Sequence, residues 1–162
     1  MIDHSAHPSR RHPAHHPLVE TGNRAILVFL TVCTKDRRPI LAAPAAHEAI
    51  RQAWEHARDW RVGRYVVMPD HVHLFCAPGR VDYPSLAVWV KYWKTLASRC
   101  WPVPAQQPIW QADFWDTQLR QGDSYSEKWE YVRRNPVRAK LVASPEEWPF
   151  QGTMNVLMWH DA

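Results

Sequence analysis

Hydrophobic periodicity along this chain switches back and forth between about 2 and about 3.6 residues, and the order of those switches constrains the fold more than any single motif. AILVFLTVCT, residues 25–34, is a β-branched and aromatic run closed by the polar turn KDRRP, and it predicts a buried strand. PAAHEAIRQAWEHARDW, residues 44–60, opens with proline and spaces Ile50, Trp54 and Ala57 as one face of a helix. RVGRYVVMP and HVHLFCAPG follow as two short strands divided by Pro69 and Asp70, which implies a hairpin. PSLAVWVKYWKTLASRCW, residues 84–101, returns to helical spacing through Leu86, Val90, Trp93, Leu96 and Ala97. PIWQADFWDTQLR, residues 108–120, reads as a further strand, and SYSEKWEYVRRNP reads as a helix started by the S-x-x-E capping pattern of Ser124 and Glu127 and limited by Pro136. The resulting βαββαβ order predicts an α+β fold: a ferredoxin-like, split-βαβ sandwich of four antiparallel strands. Two helices cover one face, and the other face is left for the last helix or a ligand.

The 162 residues suffice for one domain with a full hydrophobic core. Residues 1–20 hold His4, His7, His12, His15 and His16 among prolines, without hydrophobic periodicity, and are expected to be a disordered tail ahead of a single domain over 21–162. Cys33, Cys76 and Cys100 are odd in number and form no CxxC pair, which points away from a disulfide framework and toward a reducing, cytoplasmic setting. No apolar run reaches the roughly 18 residues needed to span a bilayer, and the N-terminal residues have no signal-peptide core.

A formal charge of +4 and a pI near 9.1 lean toward a polyanionic partner. Ten tryptophans interleaved with Lys and Arg suit unpaired nucleic acid, because aromatic faces stack on bases, although most of the ten are expected in the core. Trp110 and Trp115 are the candidates for base stacking on exposed loops, and Lys91 and Lys94 are candidate phosphate contacts.

Inside VVMPDHVHLF, His71 and His73 project from the same face of a strand, while Val72, Leu74 and Cys76 share the other. Two imidazoles on one strand face can bind one ion, and they can equally hydrogen-bond within a structure. On the last helix, Tyr125, Trp129 and Val132 form an apolar stripe that Tyr131 does not join. Asn135 follows Tyr131 by four residues, so on a continuous helix a phenol and an amide lie on one side. Arg133, Arg134 and Arg138 make this neighbourhood cationic and suited to phosphate. Two imidazoles and an amide oxygen would hold a divalent cation with positions left open, as catalysis requires. An ordinary tyrosine titrates near about 10, so such a phenol would need charge neutralisation at the phosphate that it attacks.

YVVMPDHVHLF resembles the His-hydrophobic-His motif of the HUH endonucleases, and FWDTQLR followed by EYVRRNPVRAKLV resembles the C-terminal signature of single-tyrosine HUH transposases. The resemblance is closest to the REP-associated tyrosine transposases and covers the chain from about Asn23 to Phe150. It implies His71 and His73 as metal ligands, Tyr131 as nucleophile, Asn135 as a third ligand, and Mg²⁺ or Mn²⁺ as cofactor. It further implies single-stranded DNA beside a hairpin as substrate, a 5′-phosphotyrosine intermediate, and a monomer or homodimer as the working unit. The chain departs from the family pattern at Lys140, where relatives often have glycine, and at WPFQGT. Two other classes of function remain open at this point: a noncatalytic ferredoxin-like nucleic-acid-binding protein, and a metal-dependent hydrolase with water as nucleophile.

Overall fold

The computed structural model describes residues 13–19, 25–159 and 161. Its centre is one antiparallel sheet of five strands in the order β4-β1-β3-β2-β5. Strand β1 is Val28–Cys33, β2 is Trp60–Val67, β3 is His71–Pro78, β4 is Trp115–Gln118 and β5 is Gln151–Thr153. Helix α1, Pro44–His56, links β1 to β2, and helix α2, Leu86–Arg99, links β3 to β4. Helix α3, Tyr125–Arg133, and the short helix α4, Asn135–Arg138, follow β4. The first four strands thus form the expected split-βαβ sheet, and β5 extends it by pairing with β2. The fifth strand was not legible because QGT carries no hydrophobic alternation; its backbone is taken up by the edge of β2, where Val66 pairs with Gln151.

Alternation along the strands sorts side chains onto two faces. Val28, Leu30 and Val32 of β1 and Val72, Leu74 and Cys76 of β3 join Ile50 and Trp54 of α1 and Trp89, Val90 and Trp93 of α2 in the main core. Burying a side chain of this size contributes about 1.5–3 kcal/mol. Ser85 caps α2 by accepting from the Val88 N–H, and Trp89 Nε1 donates to the Ala57 carbonyl at 2.7 Å, tying α2 to the end of α1. On the opposite face Phe75, Val66 and Met68 meet Tyr125 and Val132 of α3 and Trp148.

The approach of α3 depends on a bulge in β2, where the register with β3 shifts between Val62 and Tyr65. Gly63 sits there, and a Cβ on it would lie 2.6 Å from Leu157 and 2.9 Å from the Tyr125 hydroxyl. That hydroxyl accepts from the Arg64 N–H at 3.2 Å, so the first turn of α3 is fixed to the sheet. Ser124 Oγ accepts from the Glu127 N–H, as the capping pattern predicts, and the Asp161 carboxylate accepts from the Tyr125 N–H at 2.7 Å.

The strand expected over 108–120 is shorter than the sequence suggests. Only Trp115–Gln118 pairs with β1, and the preceding stretch touches the sheet through a single bridge between Thr34 and Trp110. Residues 13–19 of the expected disordered tail lie against β4: His15 contacts Asp113 and Asp116 at 2.6 and 2.5 Å, and Val19 exchanges two hydrogen bonds with the Gln118 amide. The rest of that tail, residues 1–12 and 20, lies outside the described residues. Among the described residues no helix is long and apolar enough to cross a membrane.

Candidate metal and nucleophile site

His71 and His73 lie on the α3 face of β3, near the turn that joins it to β2. That turn is tight, with the Met68 N–H donating to the His71 carbonyl at 2.8 Å. The Asp70 carbonyl is gripped by both the N–H and the hydroxyl of buried Thr34. The two imidazoles face one another, with Nε2 to Nε2 at 3.1 Å. Neighbouring ligand nitrogens about 2.1 Å from one cation stand about 3.0 Å apart at octahedral angles and about 3.4 Å apart at tetrahedral ones. The pair therefore fits a single divalent ion.

Behind this pair each ring is held by its other nitrogen. Asp70 Oδ1 accepts from His71 Nδ1 at 2.7 Å, and Arg37 Nε donates to Asp70 Oδ2 at 2.9 Å. The hydrogen bond from His71, with help from Arg37, holds the Asp70 carboxyl well below the usual carboxylate range. His73 Nδ1 meets Thr31 Oγ1 at 2.9 Å, because Thr31 stands opposite His73 in the β1–β3 register. The His73 ring stacks on Phe29. Burial, then the neighbouring His71 and Arg138, push the basicity of His73 well down.

Arg37 and its neighbour Asp36 both adopt left-handed backbone, with φ of 54° and 57°. Such strain in non-glycine residues persists where surroundings over-determine it. Here the Arg37 guanidinium is anchored on Asp70 and reaches Cys33 Sγ.

Tyr131 and Asn135 approach from α3 and α4. The helix does not run through from one to the other: α3 ends at Arg133 and α4 begins at Asn135. Pro136 has no N–H to continue the ladder, which breaks the helix at this point. Arg134, between the two segments, keeps right-handed helical backbone, and Arg138 links the tyrosine to the asparagine. Its guanidinium lies over the Tyr131 ring at 4.0 Å from the centroid, and its Nη2 donates to Asn135 Oδ1 at 2.6 Å. The same charge acts on His73, so Arg138 connects the helical residues electrostatically to the strand histidines. Tyr131 is half-buried, and its ring packs against the cluster containing Phe75 and Val132. Asn135 is buried.

The α4 turn is closed by the backbone expected of a helix C-terminus. Lys140 N–H donates to the Val137 carbonyl and Leu141 N–H to the Pro136 carbonyl, both at 2.9 Å. Lys140 carries the left-handed conformation, φ 59°, that this motif demands. This accounts for the glycine that the family pattern has at its place.

Several DNA-contact expectations are corrected by burial. Lys94 is buried, with Nζ donating to the Gln111 carbonyl at 2.7 Å, so it ties α2 to a loop and does not face solvent. Trp110 is a core residue packed edge-on against Trp93 and Trp101, and Trp115 is half-buried in β4, not on an exposed loop. Seven of the ten tryptophans are buried, leaving Trp115, Trp129 and Trp159 partly accessible. Arg133 is clasped by Glu130 and Glu146, each at 3.0 Å. Lys91, Arg134 and Arg138 are exposed. Sequence reasoning missed Asp70, Thr31 and Arg37. Asp70 was signalled by its place directly before His71, whereas Thr31 and Arg37 come to the site only through strand pairing and the turn after β1.

No protein-family model matches the chain. It is 26% identical to the REP-associated tyrosine transposase of Escherichia coli (strain K12) over 125 residues, covering 75% of this chain and 73% of the relative. It is also 26% identical to a protein of Haemophilus influenzae described as a putative REP-associated tyrosine transposase, over 138 residues, covering 76% of this chain and 77% of that one. A solved structure of a REP-associated tyrosine transposase bound to a REP hairpin superimposes with a TM-score of 0.67 at 22% identity, covering 85% of this chain and 82% of the other. In sequence over about three quarters of its length, and in fold, this chain is similar to the REP-associated tyrosine transposases.

Proposed function

We propose that this chain is a transposase-type endonuclease and strand transferase of the HUH single-tyrosine kind, cutting single-stranded DNA beside hairpins such as REP palindromes. The observation that carries the reading is the pair of facing Nε2 atoms on β3, 3.1 Å apart, together with a helical Tyr–Asn pair bridged by Arg138, whose charge reaches His73. Homology to REP-associated tyrosine transposases supports the same reading.

In this mechanism His71, His73 and Asn135 would hold Mg²⁺ or Mn²⁺, which would supply positive charge at the scissile phosphate. Tyr131 attacks the phosphorus, the bond from phosphorus to the 3′ oxygen breaks, and the phenol proton is lost as the leaving 3′ oxygen gains one. The products are a 5′-phosphotyrosine link and a free 3′-hydroxyl. Arg138 holds the phenol ring in place and adds positive charge where the phosphate oxygens would lie. Because Asn135 Oδ1 has two lone pairs, it can accept from Arg138 and still face an ion. A single strand can be drawn into such a site more readily than a stiff duplex.

The test is incubation with labelled DNA carrying a hairpin and a single-stranded flank, with Mg²⁺ or Mn²⁺, scored for cleavage and for a covalent protein adduct. Cleavage with an adduct is expected, and the fully paired version of the same sequence should stay uncut. Cleavage without an adduct would indicate water as nucleophile. Binding without cleavage would indicate a noncatalytic DNA-binding protein.

A further inference from the structure

The two ligand imidazoles have unlike partners behind them, and the difference has a chemical meaning. A carboxylate can only accept a hydrogen bond, so Asp70 Oδ1, 2.7 Å from His71 Nδ1, requires the proton of His71 to sit on Nδ1. The His71 Nε2 is then a bare lone pair. A threonine hydroxyl both donates and accepts, so Thr31 Oγ1, 2.9 Å from His73 Nδ1, is compatible with either tautomer of His73. Two bare lone pairs would repel at the 3.1 Å separation of the Nε2 atoms. Without an ion and with both rings neutral, one of the two must therefore carry a proton on Nε2, and Asp70 leaves only His73 free to do so.

We infer that Asp70 and Thr31 are positioning residues with different tasks: Asp70 locks His71 in the ligating tautomer, and Thr31 lets His73 move its proton from Nε2 to Nδ1 when a divalent cation enters. In the ion-free protein His73 Nε2–H donates to His71 Nε2 while the Thr31 hydroxyl donates to His73 Nδ1. With the ion present His73 carries its proton on Nδ1 and Thr31 accepts it. One proton changes place on a neutral ring, so net charge is unchanged. The inference rests on the proposed metal site.

Partners of this sort typically account for a 10- to 100-fold change in metal affinity. Mn²⁺ binding to the DNA-free protein, measured by calorimetry, should therefore weaken about 10- to 100-fold in Asp70→Ala and in Thr31→Val. Thr31→Ser, which restores the hydroxyl, should return it to near the wild-type value. The Asp70 backbone is held by Thr34 independently of its carboxylate, so the turn survives the Asp70 substitution. Long-range ¹H–¹⁵N spectra of the histidine rings should report His71 protonated at Nδ1 with and without Mg²⁺, and His73 protonated at Nε2 without Mg²⁺ and at Nδ1 with it. His71 protonated at Nε2 in the ion-free protein, or unchanged Mn²⁺ affinity in both Asp70→Ala and Thr31→Val, would overturn the inference. If His71→Ala binds Mn²⁺ as tightly as wild type, the metal reading itself falls, and the ion-free spectra still decide whether Asp70 locks His71.

Discussion

The guanidinium of Arg138 lies over the ring of Tyr131 at 4.0 Å, and the same side chain donates to Asn135 Oδ1 at 2.6 Å. The tyrosine belongs to α3 and the asparagine to α4, and one arginine joins the two.

Tyr131→Phe keeps the ring beneath Arg138 and removes only the hydroxyl. Folding and DNA affinity should stay near wild type, while cleavage and adduct formation disappear in a gel assay. Persistent cutting would exclude Tyr131 as nucleophile. Tyr125→Phe is not a clean control, because the Tyr125 hydroxyl accepts from the Arg64 N–H. Exposed Tyr92 is the better one.

Lys140 holds a backbone conformation that costs an L-residue about 1–2 kcal/mol and costs glycine little, although glycine gives back about 0.5–1 kcal/mol in chain entropy. Lys140→Gly should therefore stabilise the protein by about 0.5–1 kcal/mol in chemical denaturation. A destabilised variant would mean that the lysine side chain contributes a contact outweighing the strain.

Lys94→Met should leave DNA affinity and its salt dependence unchanged, since the ammonium is spent on the Gln111 and Ala112 carbonyls. Stability should fall by about 1–3 kcal/mol as those carbonyls lose their donor. A reduced salt slope, by about one unit, would instead mark Lys94 as a phosphate contact.

Two histidines should respond to pH with opposite sign. His47, against the Tyr65 hydroxyl, is pushed below 6.5 by burial and by Arg51. The unfolded chain therefore binds its proton more tightly, and stability falls as pH drops below 6.5. Burial also lowers His15, but Asp116 and Asp113 more than offset it, so its pKa is raised above 6.5. Its contribution to docking residues 13–19 is complete below 6.5 and is lost as pH rises through the folded value. Denaturation curves at several pH values should show His47→Gln flattening the acid limb and His15→Gln the neutral one. Buried His73 adds to the acid limb in the same sense as His47, so His47→Gln removes only part of it.

The order of the first four strands and of α1, α2 and α3 was written in the sequence, because periodicity reports which face of each element must leave water. The pairing of His71 with His73 was legible for the same reason: strand alternation is a local rule. The S-x-x-E start of α3 was likewise local, needing only neighbouring backbone. What the tertiary structure decided are relations across long sequence separations. Thr31 reaches His73 because β1 pairs with β3, and Arg37 reaches Asp70 because the turn after β1 packs against the β2–β3 turn. Lys94 and Trp110 read as surface residues from composition, yet packing buried both, since a residue's exposure depends on what the rest of the chain lays over it. Even the break between Tyr131 and Asn135, seeded locally by Pro136, acquires its consequence only in three dimensions, where Arg138 folds back to join them.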